Sequence, residues 1–197
     1  MKKERVINLL KEYHPTDMDE VHWKDETIQF IEEHEKDFYL RDSKKGHVVA
    51  TPWLLNDAED KVLLFFDEKQ DKWFPLDGYC TYEGKDIFDS LKLSTEIETH
   101  IKNLEINEKV FDVEIHQRPE RSFEAEHLHY EIRFLVKMTD PAEKPKKRVD
   151  VKHLPWVPKR KDGKKLKWLS KSATLPQNQS RSIKRLFKKW QNSYTLI

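Results

Sequence analysis

The chain has 197 residues, which is enough for one ordinary domain with its own hydrophobic core. Charged and hydrophobic residues each make up 37% of it, and aromatic residues make up 11%, a content that excludes an intrinsically disordered chain. No run of about 18 apolar residues occurs, so we expect no transmembrane helix and no membrane partner. The N-terminal residues lack the apolar region of a signal peptide, and the single cysteine, Cys80, excludes an internal disulfide. These features predict a cytoplasmic globular protein.

The net charge of +1 conceals an uneven distribution of charge along the chain. Residues 144–190 contain 17 lysines and arginines against two acids, whereas the rest contains 20 basic and 34 acidic residues. One interpretation is that the basic part binds an anionic partner such as nucleic acid. The other is that the oppositely charged parts lie against each other, or that the lysines solvate a surface. No signature of a nucleic-acid-binding module accompanies the charge, which favours the second interpretation.

The first half of the chain alternates helical and β-type patterns. Apolar residues at helical spacing predict a helix over residues 3–13, which Pro15 ends. Thr16 or Asp17 is placed to cap a second helix that runs to about residue 36. Two β-rich stretches, at residues 47–55 and 61–66, are joined by an acidic turn. Residues 71–78 are predicted to form a short strand and a loop, and residues 86–102, which lack Pro and Gly, are predicted to form a helix.

The second half opens with two predicted strands, at residues 109–118 and 127–138. The second of them alternates, so that one of its faces carries His127, His129, Glu131, Arg133 and Leu135. Residues 180–190 form a basic amphipathic helix by their spacing. The order of helices and strands predicts an α/β or α+β sandwich with a mixed β-sheet.

Several segments, in this order, resemble the Nudix hydrolase family. The family has a sequence motif called the Nudix box, and the segments that resemble the strands and loop before it are 46–53 (GHVVATPW), 61–66 (KVLLFF) and 72–78 (KWFPLDG). The segments that resemble later parts of the family's fold are 115–119 (IHQRP), 126–134 (EHLHYEIRF) and 153–158 (HLPWVP). The resemblance implies an α/β/α sandwich and the hydrolysis of a diphosphate linked to another group. It also implies an N-terminal helical extension, residues 1–40, packed on a Nudix-like domain, residues 41–197.

The family's box reads G-x5-E-x7-R-E-U-x-E-E-x-G-U, where U is a bulky aliphatic residue, and this chain matches it poorly. In the family, carboxylates at helical spacing share one helix face and hold Mg²⁺, which prefers several oxygen ligands. Gly78 matches the box glycine, and residues 85–101 align with the box helix, where Glu98 is the one box glutamate that survives. The alignment makes Glu98 and Glu96 the candidate catalytic residues. Glu98, Glu83 and Glu124 are the candidate ligands for Mg²⁺ or Mn²⁺.

Other residues are candidates for binding a ligand. His127 and His129 place two imidazoles on one face of a strand, a spacing that suits a metal, although a polar sheet face with satisfied histidines has the same pattern. Trp73 is placed to stack on a base beside the presumed active loop. With Gly78 and Arg133, these residues form the predicted ligand-binding set.

Three hypotheses follow from the sequence. The first is a divergent Nudix protein that binds a nucleotide or another diphosphate-containing molecule and has weak or lost pyrophosphohydrolase activity. The alternative is an active Mg²⁺- or Mn²⁺-dependent enzyme that acts on nucleoside diphosphates linked to another group and takes metal ligands from outside the box. A second alternative is an RNA- or protein-binding module that uses the basic C-terminal part.

Overall fold

The structure is a computed structural model that describes residues 2–34, 38–40, 45–78, 86–120, 125–146 and 165–193. In chain order its elements are α1 (Lys3–Glu12), α2 (Met18–Glu33), β1 (Gly46–Leu55), β2 (Lys61–Asp67), β3 (Lys72–Phe74), α3 (Ile87–Thr99), β4 (Leu104–Arg118), β5 (His127–Met138), β6 (Lys165–Ser170) and α4 (Arg181–Asn192). Over these ranges, none of the helices has the length and apolar character needed to cross a membrane.

The described strands form one sheet of six strands in the order β3-β2-β1-β5-β4, with β6 paired to β2. The β1–β5 pair is parallel over the whole of β1, whereas the other pairs are antiparallel. One edge of β2 pairs with β6. Along its other edge, residues Val62 and Leu63 of β2 pair with β1, and residues 65–67 of β2 pair with β3. Because β1 meets β2 only near its C-terminal end, the first half of β1 has an edge that β2 does not cover. The mixed sheet with helices confirms the predicted fold class.

Each face of the sheet packs against helices, and the two faces contribute to separate cores. One core contains buried residues of α1, α2 and α3 together with alternate residues of β1 and β5, and the rings of Phe88 and Phe134 meet there at 5.1 Å. The other core joins Trp53 and Leu135 to the buried side of α4. The alternation predicted for β5 is therefore confirmed, with Tyr130 and Ile132 on the first face.

Side-chain caps fix where three of the helices begin. Asp17 accepts a hydrogen bond from the backbone N–H of Glu20 at 2.9 Å, which confirms one of the two caps predicted for the second helix. Asp86 and Asp89 form a reciprocal capping box at the start of α3. Ser180 caps α4, whose four predicted apolar positions are buried: Ile183, Leu186, Phe187 and Trp190.

Strand β6 is absent from the sequence prediction, and β4 begins at Leu104 rather than at residue 109. Two lysines, Lys165 and Lys167, alternate with the apolar residues of β6 and obscure its β pattern. In the fold, Lys165 and Lys167 donate hydrogen bonds to Glu68 at 2.8 and 3.1 Å, while Leu166 and Trp168 pack on the larger core. Pairing with β2 thus provides the partners that the local sequence does not reveal.

Candidate functional site

The sheet face that packs on α4 carries polar side chains at one end. Strand register brings His47 of β1 beside His129 of β5, and His116 of β4 beside His129 from the other side. Arg118 of β4 is the register partner of His127. We refer to His47, His116, His127, His129 and Arg118 together as the histidine face.

Three of the imidazoles form a buried cluster. His47, His127 and His129 have ring centroids 4.6 to 5.0 Å apart, and His47 and His127 are stacked. One ring nitrogen of each lies within 4.8 Å of the others, and all three side chains are buried. Sequence analysis paired His127 with His129 but missed His47, because the parallel β1–β5 pairing that joins them links segments some 80 residues apart in the chain.

The surroundings of the cluster act against protonation of His129. Burial lowers the pKa of His129 well below its usual value, and the nearby basic groups His47, Arg118, His116 and His127 lower the pKa further. His127 has its Nδ1 2.7 Å from the carbonyl oxygen of Ala125. Since a carbonyl only accepts, Nδ1 carries a proton, which leaves Nε2 as the nitrogen that faces away from this contact.

The loop after β3 lies against the uncovered edge of β1. A Cβ on Gly78 would lie 2.1 Å from the carbonyl oxygen of Ala50 and 2.6 Å from Cγ2 of Thr51, so a residue with a side chain does not fit. Next to it, Asp77 Oδ1 lies 3.7 Å from Arg118 Nη2. Asp77 lies in the loop beside β1, and Arg118 lies on β4, with β5 between the two strands. The contact between these two side chains therefore reaches across the histidine face.

Farther along the same face, Arg133 lies in a buried network of charges. Its guanidinium donates to Asp112 at 2.8 Å, to Glu114 at 2.7 Å and to Glu131, and the side chain is 3% exposed. Those carboxylates raise the pKa of Arg133 against the lowering effect of burial. Arg133, which the sequence placed in the ligand-binding set, is thus held by three carboxylates of the protein itself.

The basic helix α4 completes this network from above the sheet. Arg185 Nε and Lys189 Nζ each lie 2.9 Å from Asp112 Oδ1, and both cations also contact Glu20 of α2. Burial acts to raise the pKa of Asp112, but the hydrogen bond from Arg185 and the nearby cations hold the pKa well below its usual value. At these two positions, oppositely charged parts of the chain lie against each other, as the second interpretation of the charge distribution predicts.

Glu98 comes from α3 rather than from the strands that carry the histidine face. It is a fully buried residue of α3, a helix whose apolar residues belong to the larger core. The nearby hydroxyls of Thr95 and Thr99 donate to helix carbonyls at 2.7 Å, and Ser94 does so at 2.9 Å. Glu96 is partly exposed, with Oε1 3.7 Å from Lys102 Nζ.

The described residues do not assemble a ligand set for Mg²⁺ or Mn²⁺ around Glu98. Within the described ranges, the groups of three or more potential ligands with atoms within 4.8 Å contain neither Glu98 nor Glu96. They are His47 with His127 and His129, and His116 with His129 and Glu131. The other two candidate ligands, Glu83 and Glu124, lie outside the described residues, as do Cys80 and segment 153–158.

Trp73 lies on β3 and packs on a neighbouring aromatic ring. Its ring centroid is 4.6 Å from that of Phe66, and its backbone N–H donates to Gln179 Oε1 at 3.1 Å. The residue is half-buried beside the smaller core. A role in stacking on a base stays a prediction.

Comparison with known proteins gives matches in structure but not in sequence. No profile of a known protein family matches the chain, and no curated protein matches it. The solved structures that it resembles include an Ap4A hydrolase, a NUDIX-family hydrolase and a MutT protein. The Ap4A hydrolase of C. elegans, in a binary complex, is 15% identical with a TM-score of 0.46, and the match covers 73% of this chain and 93% of that one.

Two bacterial structures give similar values. A NUDIX-family hydrolase from Clostridium perfringens is 17% identical with a TM-score of 0.43, covering 73% of this chain and 95% of that one. A MutT protein from Bacillus halodurans is 20% identical with a TM-score of 0.42, covering 74% and 82%. This is the family that the sequence segments resemble.

Proposed function

We propose that this protein has a Nudix-type site that binds a diphosphate-containing nucleotide over the histidine face and hydrolyses it slowly or not at all. The proposal has two parts, binding and low activity, and different residues support each of them. The observation that carries the proposal is the composition of α3. Glu98 is the one buried carboxylate of this helix, and the nearby hydroxyls of Ser94, Thr95 and Thr99 donate to backbone carbonyls of the helix.

Binding of an anion is supported by the basic side chains that reach the surface of the histidine face. The side chains of Arg118 and His116 are 26% and 30% exposed, whereas Arg133 is enclosed by carboxylates. A guanidinium binds a phosphate through two parallel hydrogen bonds, which suits a diphosphate. Gly78 lets the loop after β3 lie close to β1, which places the loop and its Asp77 beside this surface.

Low activity is supported by the shortage of metal ligands. Mg²⁺ is held by several oxygen ligands and keeps a near-octahedral geometry, and metal-assisted hydrolysis depends on that geometry. Ser94, Thr95 and Thr99 supply neutral oxygens that already donate to backbone carbonyls. We therefore derive no catalytic step through a metal ion at Glu98.

Binding and turnover are measured on the same samples of the full chain. Calorimetry with ADP-ribose and Ap4A reports binding, and release of mononucleotide in Mg²⁺ or Mn²⁺ reports hydrolysis. We expect binding of at least one ligand with turnover at background. Arg118→Gln is expected to weaken the binding by about 10-fold or more, because it removes a charge-assisted hydrogen bond. Arg181→Gln, at a side chain that is 95% exposed, is the matched control.

The enzyme alternative makes the opposite prediction for turnover. Metal-dependent hydrolysis that Glu98→Gln abolishes while Glu96→Gln retains it would establish an active site with ligands from outside the described residues. Absence of binding to every ligand, from protein shown to be folded, would overturn the proposal itself.

The nucleic-acid alternative has less support from the described residues. Arg185 and Lys189 contact Asp112 and Glu20, and Lys165 and Lys167 contact Glu68. Cations that are already paired with protein carboxylates neutralise few phosphates. Few counterions therefore leave the nucleic acid on binding, so these cations contribute little affinity. We propose that Arg185 and Lys189 act mainly to hold α4 on the sheet.

A further inference from the structure

We infer that His47, His127 and His129 form a binding site for a divalent transition metal, with Zn²⁺ as its simplest occupant. The three side chains come from two parallel neighbouring strands and are all buried. Their ligand nitrogens lie within 4.8 Å of one another. Zinc–imidazole bonds of about 2.0–2.1 Å place the nitrogens of a tetrahedral site about 3.4 Å apart, so small changes in side-chain torsion close the site.

The chemistry of the ligands selects the class of metal. Imidazole suits Zn²⁺, Co²⁺, Ni²⁺ and Cu²⁺, whereas Mg²⁺ and Ca²⁺ need oxygen ligands. The inferred site therefore differs from the Mg²⁺ or Mn²⁺ site that the sequence suggests at Glu98, and its ligands come from strands β1 and β5 rather than from α3. Three histidines leave a fourth position of a tetrahedral ion open for water or for an anion.

Neighbouring groups orient the ligands. The carbonyl of Ala125 accepts the Nδ1 proton of His127, which directs the Nε2 lone pair away from the backbone. His129 also belongs to a second group, with His116 and Glu131, and His116 Nε2 lies 3.8 Å from Glu131 Oε1. That carboxylate supplies negative charge close to the inferred cation, which offsets the charge of Arg118.

Burial strengthens the argument from geometry. Three rings with centroids within 5.0 Å place their nitrogens in a small shared volume. One cation there binds a lone pair from each ring, and rigid strands hold the ligands in position.

This inference is independent of the proposed nucleotide ligand, and its test contains no nucleotide. Full-length protein freed of metal with a chelator is titrated with Zn²⁺ in competition with a chromophoric chelator. We expect one Zn²⁺ per chain. His127→Gln and, separately, His129→Gln are expected to weaken binding by about 100-fold or more, since each removes a direct ligand. His14→Gln, at an exposed histidine, is the control and is expected to bind as the wild type does.

A second measurement uses only the wild-type protein, so that it holds even if a buried variant does not fold. X-ray absorption at the zinc edge is expected to show three imidazole ligands and a nitrogen or oxygen fourth ligand. Binding of Zn²⁺ is also expected to raise the melting temperature of the wild type, because the metal binds the folded chain. Absence of stoichiometric binding, folded variants that bind as the wild type does, or a zinc shell without three imidazoles would overturn the inference.

Discussion

Arg133→Met is expected to lower the free energy of unfolding by about 3–5 kcal/mol, the cost of removing one partner from a buried ion pair. Methionine fills much of the same volume but leaves Asp112, Glu114 and Glu131 without the guanidinium that they share. Arg185 and Lys189 still contact Asp112, but Glu131 loses a contact that they do not replace. The structure thus gives Arg133 a stabilising role.

Urea unfolding at neutral and acid pH measures this effect. Because the cations hold the pKa of Asp112 below its usual value of about 3.9, the stability that this carboxylate contributes is present above that pH and is lost as the pH falls toward the folded-state pKa. Removing Arg133 raises the folded-state pKa, so the deficit of the variant is largest at pH 7 and shrinks in acid. Arg181→Met is the matched control at an exposed arginine and is expected to change stability little. A folded Arg133→Met protein with wild-type stability at pH 7 would contradict the account.

Gly78→Ala is expected to displace the loop after β3, lower stability by about 3 kcal/mol and reduce ADP-ribose affinity by about 10-fold or more. The nearest atom to the added Cβ, at 2.1 Å, is the backbone carbonyl oxygen of Ala50, which is held in β1. The loop must therefore move, and the contact by which Asp77 positions the Arg118 guanidinium for the ligand is lost.

A double variant separates backbone crowding from side-chain crowding. Thr51→Ser removes the Cγ2 that would lie 2.6 Å from the new Cβ, but it leaves the carbonyl of Ala50 in place. We expect Gly78→Ala to destabilise the Thr51→Ser protein as much as it destabilises the wild type. Stability is measured by urea unfolding and affinity by calorimetry. Full rescue by Thr51→Ser would show that the Ala50 carbonyl is not the obstacle, and an unchanged Gly78→Ala protein would show that the loop does not lie against β1 as described.

Local sequence patterns were sufficient to predict most of the elements. Helical periodicity, the cap at Asp17 and the alternation in β5 each depend on residues close together in the chain, and each is confirmed. Strand β6 was missed because its partner is β2, about 100 residues earlier, and its lysines hide the β pattern. Its stability comes from pairing that a local pattern does not contain.

The candidate site was predicted less completely because it depends on strand register. His127 and His129 share a strand, and their spacing is visible, whereas His47 and His116 join them only through pairing with β1 and β4. The alternation of Asp112, Glu114, His116 and Arg118 along β4 was a usable signal for this face. For Arg133, the sequence showed a cation on a polar face, but the compensating carboxylates lie on β4 and on its own strand.

The most direct test of the central claim is to locate the ligand. NMR spectra of isotopically labelled full-length protein, recorded with increasing ADP-ribose and without metal, report the residues whose environment changes. We expect the largest shifts at Asp77, Gly78, His116 and Arg118, and none at Arg181 on the exposed side of α4. Shifts confined to the exposed basic residues of α4, with the histidine face unchanged, would contradict the account.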